Sequence, residues 1–149
     1  MTVRTHIITS SVLAVTIYGW THSIEAAVSA FISGILIDID HLLDFFLFSG
    51  ESFSVKAFFS WCNDGRWDRI ILIFHSYELY FLYGIIVYNY PHPILTGILL
   101  GTGLHLILDQ TGNRHLIKSF TISKWFYFFT FRAWGGFRKD WLRTANVQE

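Results

Sequence analysis

Hydrophobic positions in this chain are concentrated in four long runs. Within them, the only groups that can carry a charge are His75, Glu78 and His105. The runs cover residues 7–20, 26–37, 70–90 and 93–108. A helix needs about 20 apolar residues to cross a bilayer core, and the first two runs reach this length if they extend into their polar flanks. The pattern therefore predicts four transmembrane helices, at residues 5–22, 24–41, 69–90 and 93–110.

Composition supports an all-α integral membrane bundle. Hydrophobic residues make up 52% of the chain and charged residues only 15%, against about 25% in an average soluble domain. Two alternatives stay open. The first is a soluble helical protein, which would however have too little polar surface for its size. The second is that residues 4–30 are a cleavable signal peptide.

The basic residues predict the orientation. All eleven Lys and Arg side chains fall in or next to residues 1–5, 42–68 and 111–149, and none falls in the turns near residues 21–23 and 91–93. The positive-inside rule then places both termini in the cytoplasm, and a bacterial inner membrane is the expected location. The formal net charge is zero, which argues against a nucleic-acid partner.

Two regions are expected at the membrane surface. Residues 42–48 and 53–61 are aromatic and apolar but too short to span, which is typical of interfacial amphipathic segments. The C-terminal part mixes aromatic and basic residues, a pattern that suits an anionic lipid interface. We therefore divide the chain into a transmembrane domain with the candidate metal site, residues 1–112 with interfacial loop 42–68, and a cytoplasmic interfacial tail, residues 113–149.

The ionisable residues of the predicted spans form groups with helical spacing. A charged side chain in the bilayer is costly and often functional, and here every group is predicted to lie near the cytoplasmic end of a helix. Residues separated by three or four positions share one helix face. The groups are His6, Asp38 with Asp40 and His41, His75 with Glu78, and His105 with Asp109.

These groups predict a metal site. Asp38, Asp40 and Asp109 lie at helix C-termini, where the helix dipole disfavours an anion, and a bound cation would remove that conflict. Imidazole and carboxylate are ligands for zinc, with manganese or iron as alternatives. The eight candidate ligands exceed the need of one tetrahedral ion, so one or two ions are expected. For His75 and Glu78, a hydrogen-bonded pair between helices is an open alternative.

Further residues are candidates for catalysis and substrate binding. Asp40 or Glu78 could act as a general base if it lies outside the coordination sphere. Three residues that follow the fourth predicted helix, Arg114, His115 and Lys118, could bind a phosphate. Alternatively, they are ordinary basic residues of the cytoplasmic side, as the positive-inside rule expects. Asp44 and His22 are expected to be solvated or interfacial, and His92 to be a turn residue.

The order of these motifs resembles that of the YdjM-like family of small inner-membrane proteins, which are classed as metal-dependent hydrolases. The resemblance spans residues 6–112 and includes Thr111-Gly112 after the last motif. The chain departs from the family pattern at Ile37, where the family has Pro, and at residues 67–70, where a His-Arg-Gly motif is expected. Glu78 lies outside the pattern. The residues that the resemblance implies for the site are His6, Asp38, Asp40, His41, His75, His105 and Asp109.

These observations predict a membrane-embedded, metal-dependent hydrolase. A metal site at headgroup level could reach a lipid-linked ester or phosphoester at the cytoplasmic face, so a membrane lipid is the expected partner. The alternative is a non-catalytic scaffold or regulatory protein with a structural metal site. A transporter fits less well, because the outer halves of the four predicted helices lack ionisable residues and offer no polar path.

Overall fold

The structure, a computed structural model, describes residues 3–112 and 122–142. Within these ranges the chain is mainly helical and contains no strand, and Arg69 and Arg138 form an isolated β-bridge. The predicted all-α class is confirmed. The helices are α1 Val3–Thr21, α2 Ile24–Leu36, α3 Ile39–Phe48, α4 Val55–Asn63, α5 Tyr77–Asn89, α6 Pro93–Gly112, α7 Phe129–Trp134 and α8 Lys139–Leu142.

Helices α1 and α6 have nearly the bounds predicted for the first and fourth helices, and the other two predictions differ from the structure. The second predicted helix ends early, because a turn at residues 37–38 separates α2 from α3. The prediction that the third helix starts at residue 69 is wrong: residues 69–76 are not helical, and α5 starts at Tyr77. The reason is that side chains form hydrogen bonds with the backbone N–H and carbonyl groups of this segment.

Two segments are long and apolar enough to cross a membrane. They are Ile24–Phe48, which contains α2 and α3, and Pro93–Gly112, which is α6. Helix α5 has 13 residues and is therefore about 20 Å long, shorter than the roughly 30 Å of a hydrocarbon core. Length and composition thus identify two candidate spans among the described residues, and the four-span bundle stays a proposal.

The chain divides into two compact units. The first consists of Met1–Ile37 and Tyr77–Asp109, and the second of Asp38–Ser76 and Gln110–Glu149. In the first unit, α1 and α2 pack through Ile17 and three alanines of α2, Ala26, Ala27 and Ala30. The Tyr83 hydroxyl donates to the Leu95 carbonyl oxygen over 3.2 Å and joins α5 to α6.

Small residues allow α2 and α6 to approach closely in the first unit. A Cβ atom on Gly97 or Gly101 would overlap the backbone carbonyl of Ala26 or Ala30. The Ser33 hydroxyl also lies 3.3 Å from the Ile98 carbonyl oxygen, to which it donates. Such contacts are common where helices pack through small residues, and they place the N-terminal half of α6 next to α2.

Two glycine substitutions provide a matched test of this packing. Gly101→Ala should lower the free energy of unfolding by about 1–3 kcal/mol, because the backbone of α2 must move. Gly19→Ala, at a helical position with open space around it, should be neutral or stabilising by about 0.5–1 kcal/mol. Thermal unfolding in detergent micelles measures both. Equal stability of the two variants would contradict the close α2–α6 packing.

In the second unit, an aromatic cluster joins α3 to α4. Phe45 is fully buried, and its ring makes edge contacts with Phe53, Phe58 and Trp61. Ser54 caps the N-terminus of α4, since its hydroxyl accepts a hydrogen bond from the Ala57 N–H over 3.1 Å.

Residues 122–142 fold onto the preceding loop in the same unit. The Ile70 N–H donates to the Phe137 carbonyl over 3.0 Å, and the Lys139 N–H donates to the Asp68 carbonyl over 2.9 Å. The described part of the C-terminal segment is thereby attached to residues 68–70, close in sequence to the irregular segment before α5.

Candidate functional site

The structure brings the predicted ligands together in two sets, one in each unit. In the first unit, the side chains of His6, His105 and Asp109 are in contact and almost completely buried. In the second unit, the set is formed by Asp38, Asp40, His41 and His75.

Asp109 lies between two histidines in the first unit. Its Oδ1 is 3.1 Å from Nε2 of His6, and its Oδ2 is 3.4 Å from Nε2 of His105, one turn earlier in α6. The two imidazole rings stack with centroids 3.9 Å apart. A carboxylate with a nitrogen beside each oxygen is therefore held away from water, inside a helical unit.

Backbone contacts orient one of these histidines. Nδ1 of His105 lies 2.8 Å from the carbonyl oxygen of Gly34. A carbonyl oxygen can only accept, so Nδ1 carries a proton, and in the neutral imidazole Nε2 then keeps its lone pair. This tautomer is the one found in metal-bound histidines whose second nitrogen is held by an outer-shell acceptor.

His6 provides a further free ligand atom. Its Nδ1 is buried and has no hydrogen-bond partner among the described residues. Burying a polar atom without a partner is costly. With Nε2 donating to Asp109, the lone pair of Nδ1 is available to a cation.

In the second unit, a carboxylate orients His75. Both oxygens of Asp40 lie 3.0 Å from Nδ1 of His75. Oδ2 also accepts from the backbone N–H groups of Phe74 and His75, over 3.0 and 3.3 Å. Nδ1 of His75 therefore donates to Asp40, and Nε2 faces Oδ1 of Asp38 at 3.4 Å.

The spacing of these atoms fits metal ligation. Two ligands bound at about 2.1 Å to one tetrahedral ion lie about 3.4 Å apart. Nε2 of His75 and Oδ1 of Asp38 have this separation, as do Nε2 of His105 and Oδ2 of Asp109. Nε2 of His41 is 3.8 Å from the same oxygen of Asp38. The donor atoms thus suit a divalent cation in both sets.

Three residues of the second unit bring possible ligand atoms close together. Asp40, His41 and His75 each offer a ligand atom, and these atoms lie within 4.8 Å of one another. A buried Asp/His cluster of this kind could hold a metal ion. Its ligand types are shared by zinc, manganese and iron, so the identity of the metal is not determined by them.

Other predicted site residues lie elsewhere. Glu78 is half-buried in the first turn of α5, and its role stays a prediction. His22 is exposed, as expected for a solvated or interfacial residue, and His92 is exposed and lies outside the helices, as expected for a turn residue. The candidate phosphate-binding residues Arg114, His115 and Lys118 lie outside the described residues.

Two buried charged residues were not identified from the sequence. Asp44 was expected to be solvated or interfacial, and this is wrong: it is buried and accepts hydrogen bonds from the backbone of residues 71 and 72. Arg132 belongs to the tail that the sequence predicts at the membrane surface, yet it is fully buried. The available signal was the i,i+4 spacing of Asp40 and Asp44, which places both carboxylates on one face of α3.

The only cysteine of the chain is unsuited to act as a thiolate. Burial, together with the negative charges of Asp38 and Asp44, raises the pKa of the Cys62 thiol to about 12. The thiol is consequently neutral near pH 7 and a weak nucleophile.

Comparison with known proteins identifies no relative. No family model, curated protein or solved structure matches the chain. The resemblance to the YdjM-like family therefore stays a prediction from its motifs, and the functional argument rests on the geometry of the two sets of residues.

Proposed function

We propose that this chain is a membrane-embedded, metal-dependent hydrolase of a lipid-linked ester or phosphoester at the cytoplasmic face of the membrane. The observation that carries the proposal is the paired histidine–carboxylate geometry, in which each 3.4 Å pair includes a histidine whose Nδ1 is already held by an acceptor. Zinc is the proposed metal, with manganese or iron as alternatives, and one or two ions are expected. The proposal agrees with the YdjM-like resemblance of the motifs.

The ligand types favour a catalytic ion over a structural one. Structural zinc sites are commonly rich in cysteine and closed by four protein ligands, whereas catalytic sites often use histidine and carboxylate with one open position. A bound divalent cation would supply Lewis acidity toward a phosphoryl or carbonyl oxygen and would lower the pKa of water. His6, His105 and Asp109 would contribute ligands in one unit, and Asp38, His41 and His75 in the other.

The remaining residues have separate proposed roles. Asp40 accepts three hydrogen bonds around His75, which favours orientation of that imidazole over proton transfer. Glu78 is then the proposed general base. Arg114, His115 and Lys118 are proposed to hold a phosphate group, where an Arg fork and a Lys point charge would both be effective.

Access to the site is proposed to come from the side of Asp38 and His41. Their side chains are 32% and 23% exposed, whereas those of His75 and Asp40 are almost completely buried. Exposed apolar residues lie in the same unit, among them Phe46, Leu47 and Phe53. Such a surface suits lipid chains, so a headgroup could reach the ligands while its chains stay in the bilayer.

We also propose four membrane crossings with both termini in the cytoplasm. Two exposed aromatic residues, Trp20 and Tyr90, lie at the ends of α1 and α5 near the predicted outer turns, as expected for an interfacial aromatic belt. Reporter tags at either terminus should therefore read cytoplasmic, and a tag inserted at Pro91 should read external. A cytoplasmic signal from Pro91 would contradict this topology.

A scaffold with a structural metal remains a second candidate. The observation that favours it is burial, since His6, His75, His105 and Asp109 are each at most 2% exposed. In that case the protein would hold metal without turning over any lipid.

Turnover of membrane lipids separates the two candidates. The purified full chain is stripped of metal with a chelator, reloaded with zinc or manganese, and incubated with phospholipids and lipid-linked phosphates in mixed micelles. We expect a hydrolysis product only after reloading. A chain that binds metal tightly but forms no product from any lipid would exclude the hydrolase and leave the scaffold.

A further inference from the structure

The irregular segment before α5 has an unusual backbone. Leu72 has a φ of 48°, in the left-handed region, although it is not a glycine, and its side chain is only 1% exposed. A non-glycine residue in this region is strained and persists only where its surroundings hold it. Something in the second unit must therefore fix residues 71–75 in this conformation.

Two carboxylates bind the N–H groups of this segment. Oδ2 of Asp44 accepts from the N–H groups of Ile71 and Leu72, over 2.7 and 3.0 Å. Asp40 accepts from those of Phe74 and His75. Both carboxylates belong to α3 and are one helical turn apart, so a single helix face supplies acceptors for four peptide groups.

One guanidinium binds the carbonyl groups of the same segment. Arg132 is fully buried and donates through Nε to Ile71, through Nη2 to Leu72 and through Nη1 to His75, over 3.0, 2.8 and 3.0 Å. Nη1 also contacts the Phe126 carbonyl. The rigid fork of five donors suits such multiple contacts, which a lysine could not reproduce.

The peptide groups of Ile71 and Leu72 are consequently held from both sides. Asp44 binds their N–H groups and Arg132 binds their carbonyls. This replaces the hydrogen bonds that a helix would have provided, and it explains why the apolar sequence of residues 69–76 does not continue α5 toward the N-terminus.

We propose that Asp44 and Arg132 are positioning residues that clamp residues 71–75 and so place Nε2 of His75 for metal ligation. The metal part of this inference rests on the proposed function. Neither residue needs to contact the ion. Arg132 acts by binding the carbonyl groups of Ile71, Leu72 and His75. Asp44 acts by binding the N–H groups at the start of the segment. Outer-shell groups of this kind typically change metal affinity by about 10–100-fold.

Four substitutions test the clamp in the full-length chain. Arg132→Met removes the donors at similar length, and Arg132→Lys keeps the charge but loses the fork. Asp44→Leu removes the acceptor, whereas Asp44→Asn keeps one acceptor oxygen and removes the charge. The exposed Arg138 provides a matched basic control, Arg138→Met. Helical circular dichroism and thermal unfolding show which variants fold.

Two measurements on metal-free protein report on the clamp directly. Amide hydrogen exchange of residues 71–75 and the rate at which diethyl pyrocarbonate modifies His75, both followed by mass spectrometry, should rise at least tenfold in Arg132→Met and Asp44→Leu. Arg132→Lys should be intermediate, and Asp44→Asn and Arg138→Met should behave like the wild type. The proposal would be overturned if both rates stayed at the wild-type value in Arg132→Lys and in whichever of Arg132→Met and Asp44→Leu folds.

Cobalt binding reports on the consequence for the site. Co²⁺ affinity should fall about 10–100-fold in Asp44→Leu, with a shift of the d–d absorption bands, and should change by less than about tenfold in Asp44→Asn. An equal and complete loss in both Asp44 variants would instead make Asp44 a ligand and contradict a positioning role. If the wild type binds no Co²⁺, the proposed function fails, while the metal-free rates still decide the clamp.

Discussion

Replacing Asp109 by Asn should abolish metal binding and hydrolysis together. The carboxylate contacts His6 through one oxygen and His105 through the other, so the isosteric amide removes the charge and places an NH₂ group next to one imidazole. Because a ligand is lost, we expect an affinity loss above the roughly 10–100-fold of outer-shell changes and a fall in turnover of about 10³-fold or more. Isothermal titration with zinc and a lipid hydrolysis assay measure the two effects.

The same result is expected for His105→Ala and for Asp38→Asn. His22→Ala and His92→Ala are the matched controls, since both histidines are exposed and neither belongs to a proposed set of ligands. Full metal occupancy in Asp109→Asn, or a loss in the controls as large as in the ligand variants, would remove Asp109 from the site.

Long-chain lipids should be hydrolysed far better than their short-chain, water-soluble analogues. Each buried CH₂ group contributes about 0.8 kcal/mol to association with an apolar surface, and the exposed residues Phe46, Leu47 and Phe53 offer such a surface. Remote binding energy of this kind can position the scissile bond.

We expect kcat/KM to fall at least about 100-fold when chains of sixteen carbons are shortened to four, as estimated from the energy per buried CH₂ group. Metal affinity should be unchanged, since the ligands are not altered by the substrate. The comparison uses the same headgroup at equal concentration, with the long-chain lipid in mixed micelles. Equal kcat/KM values for both substrates would show that the active site takes soluble esters and would argue against a lipid substrate.

The sequence predicted the helices where hydrophobicity and length decide the outcome. Helices α1 and α6 each contain a long, mainly apolar run, residues 7–20 and 93–108, and the structure has both helices close to their expected bounds. The irregular segment 69–76 could not be predicted in this way, because residues 70–74 are as apolar as a transmembrane helix. Its conformation depends on Asp44 and Arg132, which are 27 and 61 positions away from Ile71 in the chain.

In the candidate site, too, contacts within one helix could be predicted from the sequence, whereas contacts between distant residues could not be predicted from spacing alone. Spacing alone pairs His105 with Asp109, which are one turn apart on α6. The approach of His6 to Asp109 joins residues 103 positions apart and was expected only from the predicted topology. Arg132 gave no signal, since a single basic residue in an aromatic segment is equally compatible with a lipid interface and with a buried hydrogen-bond network.

The metal content of the purified full-length protein tests the central claim most directly. Elemental analysis of the wild type should find about one or two equivalents of zinc, manganese or iron per chain. The Asp109→Asn and Asp38→Asn variants should contain much less, while His92→Ala should match the wild type. Wild-type protein that remains metal-free after incubation with each of these ions, and that binds no more metal than Asp109→Asn, would contradict the account.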